Sequence, residues 1–296
     1  MLYRILHKTT YDYAEPVSLC HNLAHLTPRS DERQQCRLCR LQIDPAPAVI
    51  SSQTDYFGNQ CTFFTVQTQH RQLAVTASHL VEVTSTPPTG DAPRNDDSPA
   101  WDEVRDRLRN ERSADLLNAV EYVYDSPYVK CDDMFAGYAA ESFPAGRPLL
   151  DAVLELTARI HRDFRYDPRT TNLATPLGQV FAQKSGVCQD FSHLGIACLR
   201  SLGLPARYVS GYICTKPPPG QERLVGADAT HAWLSVYCPG RGWIDFDPTN
   251  NVVPSNQHVF LAWGRDYDDV SPIKGVILGG GAHNVHVSVD VQPTDR

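Results

Sequence analysis

The sequence predicts an α+β protein in which an antiparallel, sandwich-like β domain precedes a mixed core, and three observations predict it. The first eighty or so residues consist of short β-rich runs separated by turn residues. A Pro, Gly, Asp, Asn and Ser-rich stretch follows at Thr84 to Ala100. Beyond it, helical patterns give way to several strands, the order expected of a segregated α+β domain. On this reading residues 1–90 are the β domain, 91–145 a linker and helical segment, and 146–296 the core with a C-terminal strand.

The front runs are Tyr3 to Tyr13, Cys36 to Ile43, Gln60 to Gln67 and Leu73 to Val83. Between two of them Asp55-Tyr56-Phe57-Gly58-Asn59 reads as a hairpin closure, with Gly58 and Asn59 able to take positive φ. Past the linker, Asp102 to Tyr124 and Pro148 to Phe164 read as amphipathic helices. The second carries Leu149, Val153, Leu156, Ile160 and Phe164 on one side. A third helix opens at Ser185-Gly186-Val187-Cys188 and buries Phe191, Leu194, Gly195, Cys198, Leu199 and Leu202. Gly203 stops it and Pro205 forbids its resumption. Strands follow at Ala206 to Cys214, Thr230 to Tyr237 and Gly242 to Phe246. A last one, Val285 to Val291, alternates cleanly, but the sequence does not say which domain it joins.

Composition narrows the function. The 296 residues carry 27 basic and 34 acidic side chains, a net charge of −7, so no basic field marks a nucleic-acid partner. No apolar run reaches the roughly 18 to 20 residues of a membrane span, and the start lacks a signal-peptide core, so the expected location is cytoplasmic and no membrane partner is expected. Nine cysteines at irregular spacing in such a chain read mostly as reduced thiols.

One of them is placed for chemistry. Cys188 falls in the first turn of its helix, where unpaired amides and the positive end of the dipole favour a thiolate. Among eleven histidines, His193 is nearest in sequence, but five residues along a helix is about 500°, roughly 140° off the face of Cys188. His231 is the better partner. In its strand Ala232, Leu234 and Val236 form the apolar face, so His231, Trp233 and Ser235 point the other way. In the next strand Ile244 and Phe246 are apolar, leaving Trp243, Asp245 and Asp247 on the histidine's side. A hairpin centred at Gly240 pairs Asp245 with Ser235, and it brings Asp247 diagonally to about 7 to 8 Å from His231. Asp247 is therefore preferred over Asp245 as the carboxylate that orients the imidazole.

The blocks Gly186-Val187-Cys188-Gln189-Asp190-Phe191, His231-Ala232-Trp233 and Gly242-Trp243-Ile244-Asp245-Phe246-Asp247-Pro248-Thr249 resemble those of the bacterial transglutaminase-like superfamily, whose core is related to papain-like peptidases. The front β domain and the segment from Gly264 to Gly281 also resemble that family. The resemblance implies Cys188 as nucleophile, His231 as acid/base and Asp247 as orienting carboxylate. It implies thiol-dependent acyl transfer at an amide bond through a thioester, and a peptide or protein substrate. Hydrolysis of a peptide or isopeptide bond is the preferred outcome. Protein-glutamine transamidation or deamidation is the first alternative, and a catalytically silent interaction module the second. Family members that cross-link proteins use an upstream tryptophan at the oxyanion, and none lies between Trp101 and Cys188 here. The Cys188 amide is then one donor, with Tyr166 or Gln183 as candidates for the second.

No metal or cofactor is expected. Cys36 and Cys39 lack a second ligand pair, and residues three apart in a strand face opposite sides. The same spacing separates His283 from His286. Asp266, Asp268 and Asp269 lack the glycine and glutamate of a calcium loop and read as a solvated loop.

Overall fold

A computed structural model describes residues 1–84, 98–214 and 230–294. It is an α+β structure in which an antiparallel curled sheet precedes a mixed helix and sheet core. Most of the expected linker, residues 85–97, lies outside the described residues.

The front sheet is built around β1 (Leu2–Ala24), which runs on well past the expected end at Tyr13. The other front strands are β2 (Gln34–Asp44), β3 (Val49–Thr54), β4 (Gln60–Val66) and β5 (His70–Val83). The order is β2-β5-β1-β4-β3. The first half of β1 pairs with β5 and its second half with β4, and the register slips between Asp12 and Val17. Pro16 lies in that gap, and a residue without an N–H cannot continue the ladder. The sandwich-like expectation is therefore corrected to one hydrogen-bonded sheet that curls along β1. Gly58 has φ +76 and makes the β3–β4 turn, but Asn59 stays at negative φ and its side-chain amide donates to Asp55 and to the Trp263 carbonyl.

The expected helix from Asp102 to Tyr124 is broken into α1 (Trp101–Asn110) and α2 (Ala114–Val120), the latter running into a 3-10 turn at Glu121–Val123. Trp101, Val104 and Leu108 form the buried stripe of α1. Continued without a break, the stripe would carry Arg112 and Asp115 inward. The break leaves Arg112 and Asp115 exposed, while α2 buries Leu116 and Ala119. Next come α3 (Asp133–Ala140), capped by the Asp132 side chain, and α4 (Leu149–Asp163), which buries the face read from its periodicity. Two short strands, β6 (Arg165–Tyr166) and β7 (Ser185–Gly186), flank α5 (Leu177–Gln183) and pair in parallel.

The central element is α6 (Cys188–Ser201), and it departs from the amphipathic expectation. Every residue from Asp190 to Arg200 is buried. Its polar side chains stay inside because each is satisfied: the Ser192 hydroxyl donates to the Cys188 carbonyl, and Arg200 donates to four backbone or hydroxyl oxygens around Tyr124, Ser126, Ala206 and Arg265. The helix packs on a four-stranded antiparallel sheet, β10 (Gly242–Phe246), β9 (Thr230–Cys238), β8 (Ala206–Ile213) and β11 (His258–Gly264), in that order. Gly195 makes the packing possible, since a Cβ there would lie 2.3 Å from the Leu234 side chain. Gly203, at φ +80, ends the helix as expected.

After α7 (Tyr267–Val270) the chain returns to the front sheet. Both β12 (Ile273–Gly279) and β13 (His283–Thr294) pair with β1, so the last strand belongs to the front sheet. Tyr3, Ile5, Val81, Val83, Val289 and Val291 join the apolar cluster that surrounds α6, and front sheet and core share one interior. Asp266 is fully buried and caps α7 while accepting the Tyr128 amide, and Asp269 is paired with Arg265. The solvated-loop reading of this acidic cluster is thereby corrected. No described helix is long and apolar enough to cross a membrane.

Candidate active site

Cys188 is the first residue of α6 and is partly accessible. The turn that presents it is held by Asp190, whose carboxylate reaches back to accept the Val187 amide at 2.8 Å and the Thr171 hydroxyl at 2.8 Å. Gly186 is required for that cap, because a Cβ there would lie 2.6 Å from the Asp190 carboxylate oxygen. The first-turn amides of α6 thus open toward the thiol.

His231, the second residue of β9, pairs with Gly211 of β8, and it lies near enough to Cys188 for that thiol to act on its titration. Its Nε2 lies 2.7 Å from Asp247 Oδ2, which leaves Nδ1 for the thiol. The expected hairpin register is observed, with Asp245 opposite Ser235 and Gly240 and Gly242 at positive φ in the turn. Asp245 accepts from Ser235 and from Arg33 of the front sheet, away from the imidazole. Asp247, fully buried just past β10, is the carboxylate that meets His231. Burial disfavours the imidazolium, but hydrogen bonds to Asp247 and Cys188 and their charges outweigh it, raising the His231 pKa to about 10. Burial likewise opposes the Asp247 carboxylate, and hydrogen bonds from His231 and His258 hold it well below the usual range.

His258 was missed in the sequence reading. It opens β11, and its Nε2 lies 3.1 Å from the same Asp247 oxygen. Asn250 adds a third donor at 2.7 Å, while the amides of Thr249 and Asn250 donate to Oδ1. Asp247 is thereby fixed from both sides, with Trp233 packed edge-on against His258 at 5.2 Å. His258 comes from a strand the sequence pattern did not reveal, and only the sheet order places it here. These three residues, His231, Asp247 and His258, are close enough to hold a metal ion. Hydrogen bonds already fill the space between them.

The two oxyanion candidates differ in placement. Tyr166, on β6 opposite Gly186, feels the Cys188 charge, and burial together with that charge raises its pKa, which keeps the hydroxyl protonated. Gln183 ends α5 and donates a side-chain N–H to the Ser185 carbonyl at 3.0 Å. His193 points elsewhere, stacked on Tyr128 and accepting the Tyr267 amide, with burial lowering its pKa to about 4.

Cys36 and Cys39 are not on opposite faces. A bulge between Cys36 and Leu38 resets the alternation and puts both on one face, where the Cys36 thiol donates to the Leu38 carbonyl at 3.4 Å and the Cys39 thiol to the Thr27 hydroxyl at 3.7 Å. The influence of Cys36, with His79 and Thr27, outweighs burial and lowers the Cys39 pKa.

A helix-borne cysteine engaged by a strand histidine, itself held by a carboxylate, on an antiparallel sheet defines the transglutaminase-like class. The chain belongs to the transglutaminase-like superfamily. Residues 3–82 match the bacterial transglutaminase-like N-terminal region, and residues 138–248 match the superfamily core. An uncharacterized protein of Mycobacterium bovis is 41% identical over 298 residues, covering 98% of this chain and 92% of the relative. One from Mycobacterium leprae is 32% identical over 291 residues, 97% of each chain. A protein-glutamine gamma-glutamyltransferase of Pseudomonas aeruginosa is 30% identical over 126 residues, 38% of this chain and 19% of that protein. Among solved structures, a candidate cysteine protease from Cytophaga hutchinsonii superposes with a TM-score of 0.73 at 22% identity, covering 100% of this chain and 92% of that one. At that identity the likeness is one of fold.

Proposed function

We propose that the protein is a thiol-dependent acyl-transfer enzyme that cleaves amide bonds, with Cys188 as nucleophile, His231 as acid/base and Asp247 as orienting carboxylate. The observation that carries the reading is the 2.7 Å contact between His231 Nε2 and the buried Asp247 carboxylate, with Cys188 near enough to act on the same imidazole. The thiolate attacks the amide carbonyl, and the imidazolium, favoured by its surroundings, donates its proton to the departing amine. The Cys188 amide and the Tyr166 hydroxyl stabilise the oxyanion. Asp247 holds the ring with Nδ1 toward the sulfur, and His258 and Asn250 keep the carboxylate from turning.

The thioester then meets water, giving hydrolysis of a peptide or isopeptide bond, a step that needs no second binding site. Transamidation or deamidation of protein glutamine is the second reading, favoured by the local match to a gamma-glutamyltransferase. Mass spectrometry of a Gln- and Lys-containing peptide library, incubated with a primary amine beside Cys188→Ala, separates the outcomes. Fragments establish a peptidase, a gain of about one mass unit a deamidase, and an amine adduct a transamidase. No Cys188-dependent change in any peptide would count for the silent interaction module.

A further inference from the structure

We propose that His25, Asp55 and Cys61 form a zinc-binding site where the front sheet meets the returning chain. The three lie at the end of β1, at the β3–β4 turn and in β4, and one ligand atom from each falls within 4.8 Å of the other two. His25 Nδ1 is 3.1 Å from the Ser271 carbonyl, which only accepts, so Nδ1 carries the proton and the neutral ring presents a bare Nε2. A backbone carbonyl behind the ring is the usual support of a metal-binding histidine.

The bare Nε2 faces Asp55 Oδ2 at 3.5 Å. That separation is long for a hydrogen bond, and it suits the edge of a tetrahedral ligand set, about 3.3 Å for zinc bonds of roughly 2.0 to 2.1 Å. The carboxylate is itself supported, since the Asn59 side-chain amide donates to Oδ2 at 2.8 Å and the Asn59 backbone amide to Oδ1 at 2.7 Å. His25 and Cys61 are only 2% and 1% exposed, whereas Asp55 is 18% exposed, leaving a solvent side where water completes the tetrahedron. His231, Asp247 and His258 differ in this respect, because donors already surround the shared Asp247 oxygen at 2.7 and 3.1 Å.

Binding is balanced as follows. The zinc ion forms a bond to the Cys61 sulfur, the thiol proton passes to solvent, and thiolate and carboxylate together offset the two charges of the metal. Once bound, the metal would clamp β1 to the β3–β4 turn and, through the His25–Ser271 bond, to the entry of β12.

The test uses the full chain carrying Cys188→Ala, titrated with Co²⁺ as probe. Expected are a thiolate-to-cobalt charge-transfer band and tetrahedral d–d bands that saturate at one equivalent and disappear when Zn²⁺ is added. Cys61→Ser should abolish the charge-transfer band. Asp55→Asn keeps an acceptor for the Asn59 amide and should weaken affinity by about 10-fold or more. Zn²⁺ should raise Tm in the parent and not in Cys61→Ser. The proposal is overturned if no band forms at one equivalent. It is equally overturned if the band survives Cys61→Ser and is lost in Cys36→Ser, which would place the metal on the exposed dithiol.

Discussion

At the scale of single residues the proposed chemistry rests on His231, and its protonation can be measured directly. Its folded pKa of about 10 lies above the ordinary 6.5, so the stability it contributes is full below pH about 6.5 and is lost as pH rises toward 10. Asp247 has the opposite sign: its depressed pKa contributes stability above pH about 4 that is lost on further acidification. The Tm difference between wild type and Asp247→Asn should therefore be widest between these limits and should narrow from pH 7 to 10. Imidazole NMR should show His231 protonated at neutral pH in wild type and neutral in Asp247→Asn, where burial remains and the countercharge is gone. Asp245→Asn should leave that signal in place, because Asp245 is engaged with Arg33 and Ser235. Tyr166→Phe should lower kcat by about 10²-fold with little change in KM, the signature of a lost oxyanion donor. Cys188, His231 and Asp247 were legible in the sequence because helix phase and hairpin register place them. His258 was not, since it reaches Asp247 from β11, three places from β10 in the sheet.

At the scale of elements, the site depends on α6 meeting β9 closely and on the turn before α6. Gly186→Ala should drive the Asp190 carboxylate off the Val187 amide, costing about 1 to 3 kcal/mol by overpacking and loss of the cap. Its kcat should fall further than its stability suggests, because Cys188 lies two residues on. Denaturant melts beside turnover measurements on the same variant check both. Periodicity located α4, α6, β9 and β10, although α6 and β9 are buried on all sides rather than on one face. It failed where local pattern and tertiary need diverge. β1 runs through Pro16 because two sets of partners hold it, and the α1–α2 break is set by which side chains the core must bury.

At the scale of the molecule, front sheet and core are joined by buried polar clamps as well as by a shared apolar interior. Asn59 donates to the Trp263 carbonyl and accepts its amide, while Gln34 does the same for Phe260, so each holds β11 from the front sheet. Arg29 stacks on Trp263, with its guanidinium carbon 3.5 Å from the ring centre. Asn59→Ala should cost about 1 to 3 kcal/mol for each backbone group it orphans, and chemical unfolding should remain a single transition if the halves stabilise each other. None of this was visible in the sequence, because residues some two hundred positions apart carry no local signal of their pairing.

Alkylation of Cys188 tests the joint action of the three residues most directly. Cys39 is an exposed free thiol with a lowered pKa, so the measurement belongs in a Cys39→Ser background, with limiting iodoacetamide and peptide mapping. The account predicts that Cys188 is modified first among the remaining thiols and that His231→Ala removes its advantage, with Asp247→Asn between the two. Cys188 reacting no faster than its neighbours, or equally fast without His231, would contradict it.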